Sequence, residues 1–209
     1  MTATAELLLT DLANYSRCWP EDSQETLQRY RGFVESTPDC CERWHADGHC
    51  TGSAFLSCPR GERVLLLFHP HLKRWLQPGG HADGNFDLLD VARREAEEET
   101  GLTDMLAYSS GGLSRVPFDL DIHPIPARGV EKEHFHYDLR FLFLANPETK
   151  LVPETPQLQL AWLDLYEVEK LTDEESVLRM VRKLRLLPRS ADGLLAPGDT
   201  LPTALADQA

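Results

Sequence analysis

The chain has no apolar run that could cross a bilayer. Its longest, Val64 to Phe68 (VLLLF), falls far short of the roughly 20 residues a spanning helix needs. Positive charge is also scarce: 21 Lys and Arg face 34 Asp and Glu, a net charge of −13. That balance argues against a general nucleic-acid-binding or anionic-membrane surface, both of which require clustered cations. The opening MTATAELLLTDL carries neither the basic start nor the long apolar stretch of a secretory signal. Cysteines are few and odd in number, five, with no CxxC pair. Reduced thiols and a cytoplasmic location are therefore expected rather than a disulfide framework. Cys40, Cys41, His45, His49 and Cys50 lie close together, but their spacing fits no common zinc finger. No internal repeat is visible.

What is present is an ordinary globular composition, 42% hydrophobic and 26% charged over 209 residues, enough for one domain with an extension. Residues 1–48 read as helical. Ala5 to Tyr15 and Ser23 to Val34 carry apolar residues at three-to-four spacing, Trp19-Pro20 breaks between them, and Ser23 is placed to cap the second. The texture then changes to strand-like runs, TGSAFLSC and ERVLLLFH, joined at Pro59-Arg60-Gly61. Further strands are predicted over 105–109, 118–125, 135–144 and 158–164. A helix is predicted over 87–100, capped by Asn85 or Asp87 and stopped at Gly101. A last helix is predicted from Thr172, where Thr172 and Glu175 form a capping-box pattern. From Pro188 to the end, 188–209, the composition predicts an extended or mobile tail. Strands, helix, strands, helix indicate a mixed sheet covered by helices, an α/β fold.

The helix over 87–100 is strongly acidic. At 100° per residue Glu95 and Glu99 share a face with Glu98 beside them, continuing the apolar stripe of Leu88, Val91 and Ala92. Asp90, Glu97, Arg93 and Arg94 fall on the opposite side. Inward carboxylates at that density repel one another and lose hydration unless cations neutralise them. Hard oxygen ligands of this kind suit Mg²⁺ or Mn²⁺. Arg94, four residues before Glu98, is placed to steer that carboxylate.

The segment Gly80 to Leu102 resembles the signature of the Nudix hydrolase family, G-x5-E-x7-R-E-U-x-E-E-x-G-U. Gly80, Arg94, Glu95, Glu98, Glu99, Gly101 and Leu102 match, Ala96 fills an apolar position, and Phe86 replaces the first glutamate. The flanking RWLQPGGH and AWLDL are similar to family features, and the resemblance covers 51–187. It implies an α/β/α sandwich around a mixed sheet, with the N-terminal helices as an extension. It also implies a metal-dependent hydrolase that cleaves the pyrophosphate of a nucleoside diphosphate linked to another moiety, or of a nucleoside triphosphate, by water attack on phosphorus. The partner is then a nucleotide derivative, and a homodimer is expected by analogy. By position Glu95, Glu98 and Glu99, with the carbonyl of Gly80 (or Gly79), hold the metal. The general base is Glu95, or a loop residue: Glu154 next, then Glu131 or Glu133. The absent glutamate at Phe86 leaves Asp83 or Asp87 to take over part of its role. Two alternatives stay open: a non-catalytic nucleotide-binding module of the same fold, favoured by Phe86, and an isopentenyl diphosphate isomerase, which requires a catalytic cysteine and a histidine-rich metal site early in the chain, a pattern that His45, His49 and Cys50 resemble only loosely.

In EHFHYDLRF, Phe135, Tyr137, Leu139 and Phe141 alternate with His134, His136, Asp138 and Arg140. The polar face either lines the cleft, with His136 or Arg140 on phosphate, or holds a structural Asp138–Arg140 pair. Arg94, Lys73, Arg74 and His81 complete the candidate substrate contacts, and Trp75 reads as core or cleft wall. Pro117, fifteen residues after Leu102, is placed like a proline of ADP-ribose-cleaving members.

Overall fold

The computed structural model describes residues 3–70, 72–110, 113, 115–129 and 132–196. The two N-terminal helices form where their periodicity predicts, α1 at Ala3–Cys18 and α2 at Gln24–Ser36. The Ser23 hydroxyl accepts a hydrogen bond from the Thr26 N–H at 3.2 Å and starts α2. Strands β1 (Gly48–Ser57) and β2 (Arg63–His69) follow, then two short strands not foreseen in the sequence, β3 (Arg74–Leu76) and β4 (Gly79–His81). The acidic helix, α3, spans Leu88–Thr100. After it come β5 (Leu106–Ala107), β6 (Asp119–Ile125), β7 (His134–Leu144), β8 (Gln159–Asp164), α4 (Leu165–Leu171) and α5 (Glu175–Leu186). Among the described residues no helix is long and apolar enough to cross a membrane.

All eight strands join one mixed sheet with β1 near its centre. β1 runs parallel to β7 through ten registered pairs, from Gly48↔Phe135 to Ser57↔Leu144. On its other edge it is antiparallel first to β4, at Thr51 to Ser53, and then to β2, at Leu56 and Ser57. β6 extends β7, and β8 extends β2. Every residue of β1 is buried, as expected of a central strand paired along both edges. One face is closed by α3, whose first turn packs on Gly52, and by α2, whose Tyr30 hydroxyl donates to the Tyr137 carbonyl at 2.9 Å. Phe33 stacks on Tyr137 with centroids 3.9 Å apart. The opposite face, carrying His49, Thr51, Ser53, His136 and Asp138, opens into a cleft. Leu8, Leu12 and Tyr30 of the first two helices share one apolar core with Phe55, Leu88, Val91 and Phe141.

Two boundaries depart from expectation. The final helix starts at Glu175, not at Thr172, because Thr172 closes a separate short helix: its N–H donates to the Val168 carbonyl at 3.1 Å. The capping box belongs to that helix, α4, where Glu167 accepts from the Asp164 N–H at 2.9 Å. The tail is not free through Ala196. The Leu195 N–H donates to the Pro59 carbonyl at 2.7 Å, the Tyr108 hydroxyl donates to that of Ala196 at 2.6 Å, and Leu195 is buried. Residues 197–209 of the predicted tail lie outside the described residues.

Candidate active site

The acidic helix is fixed at both ends. Asp87 accepts from the Asp90 N–H at 2.9 Å, and Gly101, at φ +73°, turns the chain out through the left-handed region that glycine adopts without strain. Leu88, Val91, Ala92 and Ala96 are buried against the sheet. That seating carries Glu95 and Glu99 to the cleft wall beside β4. The Gly79 N–H donates to Glu99 Oε2 at 3.1 Å, and a Cβ placed on Gly80 would collide with the Glu95 carboxylate. Only glycine lets β4 approach that side chain so closely.

Glu95 and Glu99 both line the cleft, whereas Glu98 is exposed and is not among the lining residues. Burial pushes the Glu99 carboxyl up to about 7; the Gly79 N–H opposes the shift, and the charges of Glu95, Glu154 and Glu98 reinforce it. Burial also raises Glu95, partly offset by Arg94. Arg94 does not steer Glu98 as its four-residue spacing suggests. It pairs with its neighbour Glu95 at 2.7 Å and donates to the His81 carbonyl at 3.0 Å. A partly buried carboxylate pair against a glycine backbone, with one cation beside it, is a donor set that suits a hard divalent ion.

The cleft, about 1260 Å³, is also lined by Arg43, Arg128 and Lys132 and by Trp44, 71% exposed. None of these four was singled out in the sequence. They sit in irregular segments where no periodicity marks them, and only a cation or aromatic in a predicted loop could have drawn attention.

The polar row of β7 divides. His134, His136 and Asp138 line the cleft. Arg140 does not reach it: the guanidinium is buried, donating to Asp138 at 2.7 Å, Asp121 at 3.1 Å, Asp119 at 3.4 Å and the Ser176 carbonyl at 3.3 Å. The expected phosphate contact is replaced by the structural pair because α5 covers that end of the strand. Asp138 is equally committed, accepting from the Thr51 and Ser53 hydroxyls, each at 2.9 Å. Arg179 and Lys183 of α5 complete the network on Asp119 at 2.7 and 2.9 Å.

His81 lines the cleft; Lys73 and Arg74 do not. Arg74 pairs with Glu174, and Lys73 occupies an exposed turn at φ +54°. Glu154 is exposed outside the cleft, although near enough for its charge to act on Glu99. Glu133 is exposed and Glu131 lies outside the described residues. Phe86 is half-buried against the core. Asp83 lines the cleft, while Asp87 is spent on its cap and on Arg115 at 2.7 Å. Trp75 packs on Phe68 at a tilt of 59°, with ring centroids 5.6 Å apart. Buried Pro117 accepts the Trp19 indole N–H at 3.1 Å and ties the N-terminal helices to the sheet. Of the five residues crowded near position 45, Cys40, Cys41 and Cys50 bring their sulfurs within 4.8 Å of one another, whereas His49 turns into the cleft.

The NUDIX domain profile matches residues 51–184. No curated protein matches the chain. Among solved structures, a Nudix-family hydrolase from Clostridium perfringens is similar at 21% identity and TM-score 0.51, covering 66% of this chain and 97% of its own. The dihydroneopterin triphosphate pyrophosphohydrolase of E. coli is similar at 18% identity and TM-score 0.50, covering 64% and 92%. With the profile spanning well over half its length and the signature glutamates assembled on α3, the chain belongs to the Nudix hydrolase family.

Proposed function

We propose that the chain hydrolyses the pyrophosphate bond of a nucleoside diphosphate derivative, ADP-ribose-like or a nucleoside triphosphate, with Mg²⁺ or Mn²⁺. The observation that carries this is the convergence of Glu95 and Glu99 on the Gly79–Gly80 backbone in a cleft that Arg43, Arg128 and Lys132 also line. Glu95, Glu99 and the exposed Glu98 would hold the metal with the Gly80 carbonyl. A bound divalent ion supplies the charge that offsets the diphosphate and orients the attacking water. Arg43, Arg128 and Lys132 bind the remaining phosphate charge, and His81 and His136 line the same cleft. Trp44 offers a flat apolar face to a base. Glu95 is our first choice as proton acceptor, because it lines the cleft beside Glu99 and the Gly80 backbone; Glu154 is the second. The E. coli relative is by name a pyrophosphohydrolase, which supports the type of bond cleaved. Five free, buried cysteines support a reducing, cytoplasmic setting, and the family analogy supports a homodimer.

The isomerase alternative needs a cysteine in the cleft. All five cysteines are buried and, among the described residues, none lines it. The binding-module alternative rests on Phe86, whose packing leaves Glu95 and Glu99 in place.

The test is release of nucleoside monophosphate or phosphate across a panel of diphosphate and triphosphate substrates with Mg²⁺ or Mn²⁺. Wild type should turn over at least one, and Glu98→Gln and Glu95→Gln should each lose about 100-fold or more in kcat. Wild type and Glu98→Gln equally inert on every substrate, with a nucleotide still bound, would establish the binding module instead.

A further inference from the structure

Strand register, not local sequence, builds a second cluster of ligand atoms in the cleft. The pairing of β1 with β7 sets His49 directly beside His136, and that of β6 with β7 sets His123 beside His136. β4 contributes His81, paired with Thr51 two residues along β1. Ring centroids of His49, His81 and His136 lie 4.8 to 5.0 Å apart, and one nitrogen from each falls within 4.8 Å of the others. Of the neighbouring histidines, His123 Nδ1 lies 2.9 Å from Asp121 and His134 Nδ1 2.8 Å from the Lys132 carbonyl.

Both ring nitrogens of His49, and Nε2 of His136, are buried without a hydrogen-bond partner. A buried polar atom without a partner is costly, and several in one place need an explanation. A neutral imidazole with a free lone pair is a metal ligand. Two nitrogens bound at about 2.0–2.1 Å in tetrahedral geometry are about 3.3 Å apart, so small ring rotations close the observed set.

We infer that His49, His81 and His136 form a three-imidazole site for a late divalent transition ion of the Zn²⁺ type, separate from the carboxylates of α3. Nitrogen ligands select Zn²⁺ and its neighbours over the hard Mg²⁺ or Mn²⁺ that oxygen ligands prefer, so one cleft offers two sites of unlike chemistry. Three protein ligands leave a fourth position for water or a substrate oxygen, the arrangement of reactive rather than purely structural zinc. The inference does not depend on the hydrolase proposal, because binding can be read without turnover.

The experiment is titration of the metal-free full chain with Zn²⁺ by calorimetry, and with Co²⁺ followed by visible absorption. One equivalent of Zn²⁺ should bind, and Co²⁺ should give ligand-field bands without a thiolate charge-transfer band. Affinity should fall at least about 100-fold in His136→Gln and in His49→Gln, and stay within about twofold in Glu99→Gln. Should His49→Gln fail to fold, the partly exposed His81→Gln takes its place, and a zinc-edge anomalous map of wild-type crystals locates the ion with no substitution. The inference is overturned if wild type binds no Zn²⁺, if the histidine variants bind as wild type does, or if Glu99→Gln abolishes the site. A thiolate band would likewise overturn it by moving the ion to Cys40, Cys41 and Cys50.

Discussion

Glu99 accepts the Gly79 N–H at 3.1 Å and stands next to Glu95 with Glu98 and Glu154 in range, so a single backbone donor faces an array of like charge. Its carboxyl is raised to about 7, above the ordinary 4.5. A carboxyl shifted this way binds its proton more tightly in the folded chain than in the unfolded one. Its contribution to stability is whole below about pH 4.5 and is lost as pH rises through about 7. In metal-free protein, Glu99→Gln should therefore melt above wild type at pH 8, by an amount on the order of 2 kcal/mol or a few degrees in Tm, with the gap closing by pH 5. Thermal melts with a chelator present check this; a gap that is constant with pH would show that ionised Glu99 is not the destabilising element.

Arg140 holds Asp138, Asp121 and Asp119 together beneath α5. Arg140→Gln should destabilise by about 3–5 kcal/mol, because it strips the shared cation from buried carboxylates. Burial alone would raise Asp119 and Asp121. The Arg179 hydrogen bonds and the charges of Lys183 and Arg140 more than reverse this at Asp119; the His123 hydrogen bond and the two arginines do so at Asp121. Both carboxyls are held below 3.8, so the stability they contribute is present above that pH and is lost progressively as pH falls below it toward the lower folded-state values. Urea denaturation at pH 7 and pH 2.5 should show wild type losing more stability on acidification than Arg140→Gln. Unchanged stability with a raised KM would return Arg140 to the substrate.

Phe86 stands where the family signature has glutamate, and its ring packs on the core beside the entry to α3. Phe86→Ala should cost about 1–3 kcal/mol while changing kcat by less than about threefold, since the ring packs on the core and is not part of the cleft lining. Denaturation and steady-state kinetics on one preparation separate the two effects. A large loss in kcat at unchanged stability would give the ring a direct part in the chemistry.

Trp44 lines the cleft and is 71% exposed, so removing it should leave stability within about 0.5 kcal/mol of wild type. If it stacks on a base, Trp44→Ala raises KM for a nucleotide substrate by about fivefold or more and leaves inorganic pyrophosphate or triphosphate unaffected. Equal effects on substrates with and without a base would exclude stacking.

The sequence carried the helix bearing the glutamates clearly. Glu95 and Glu99 repeat at four residues on the stripe of Leu88 and Val91, and Gly101 marks the stop. The same periodicity misled for Arg94, whose partner Glu95 is adjacent in sequence and so lies outside the three-to-four spacing that defines a helix face. Alternation along β7 sorted its residues onto two faces but could not say that the cleft ends before Arg140, since that depends on where α5 lands. The histidine cluster was the least legible feature. It requires a parallel register between segments 87 residues apart, seen equally in the hydrogen bond from Thr51 to Asp138, and nothing in either segment alone encodes that pairing.

That register also governs the order in which the molecule can be made. The floor of the cleft is a seam between strand β1 and strand β7, with the chain from β2 to β6 intervening. On a ribosome, β1 emerges with one edge unpaired and waits until residue 144 has cleared the exit before the seam can zip. Pairings of such long range are slow to form, and an unsatisfied central strand is a place for neighbouring chains to add themselves. Truncations ending between β6 and β7 should therefore collect as aggregates, and a chain extending just past Leu144 is the first that can hide that edge.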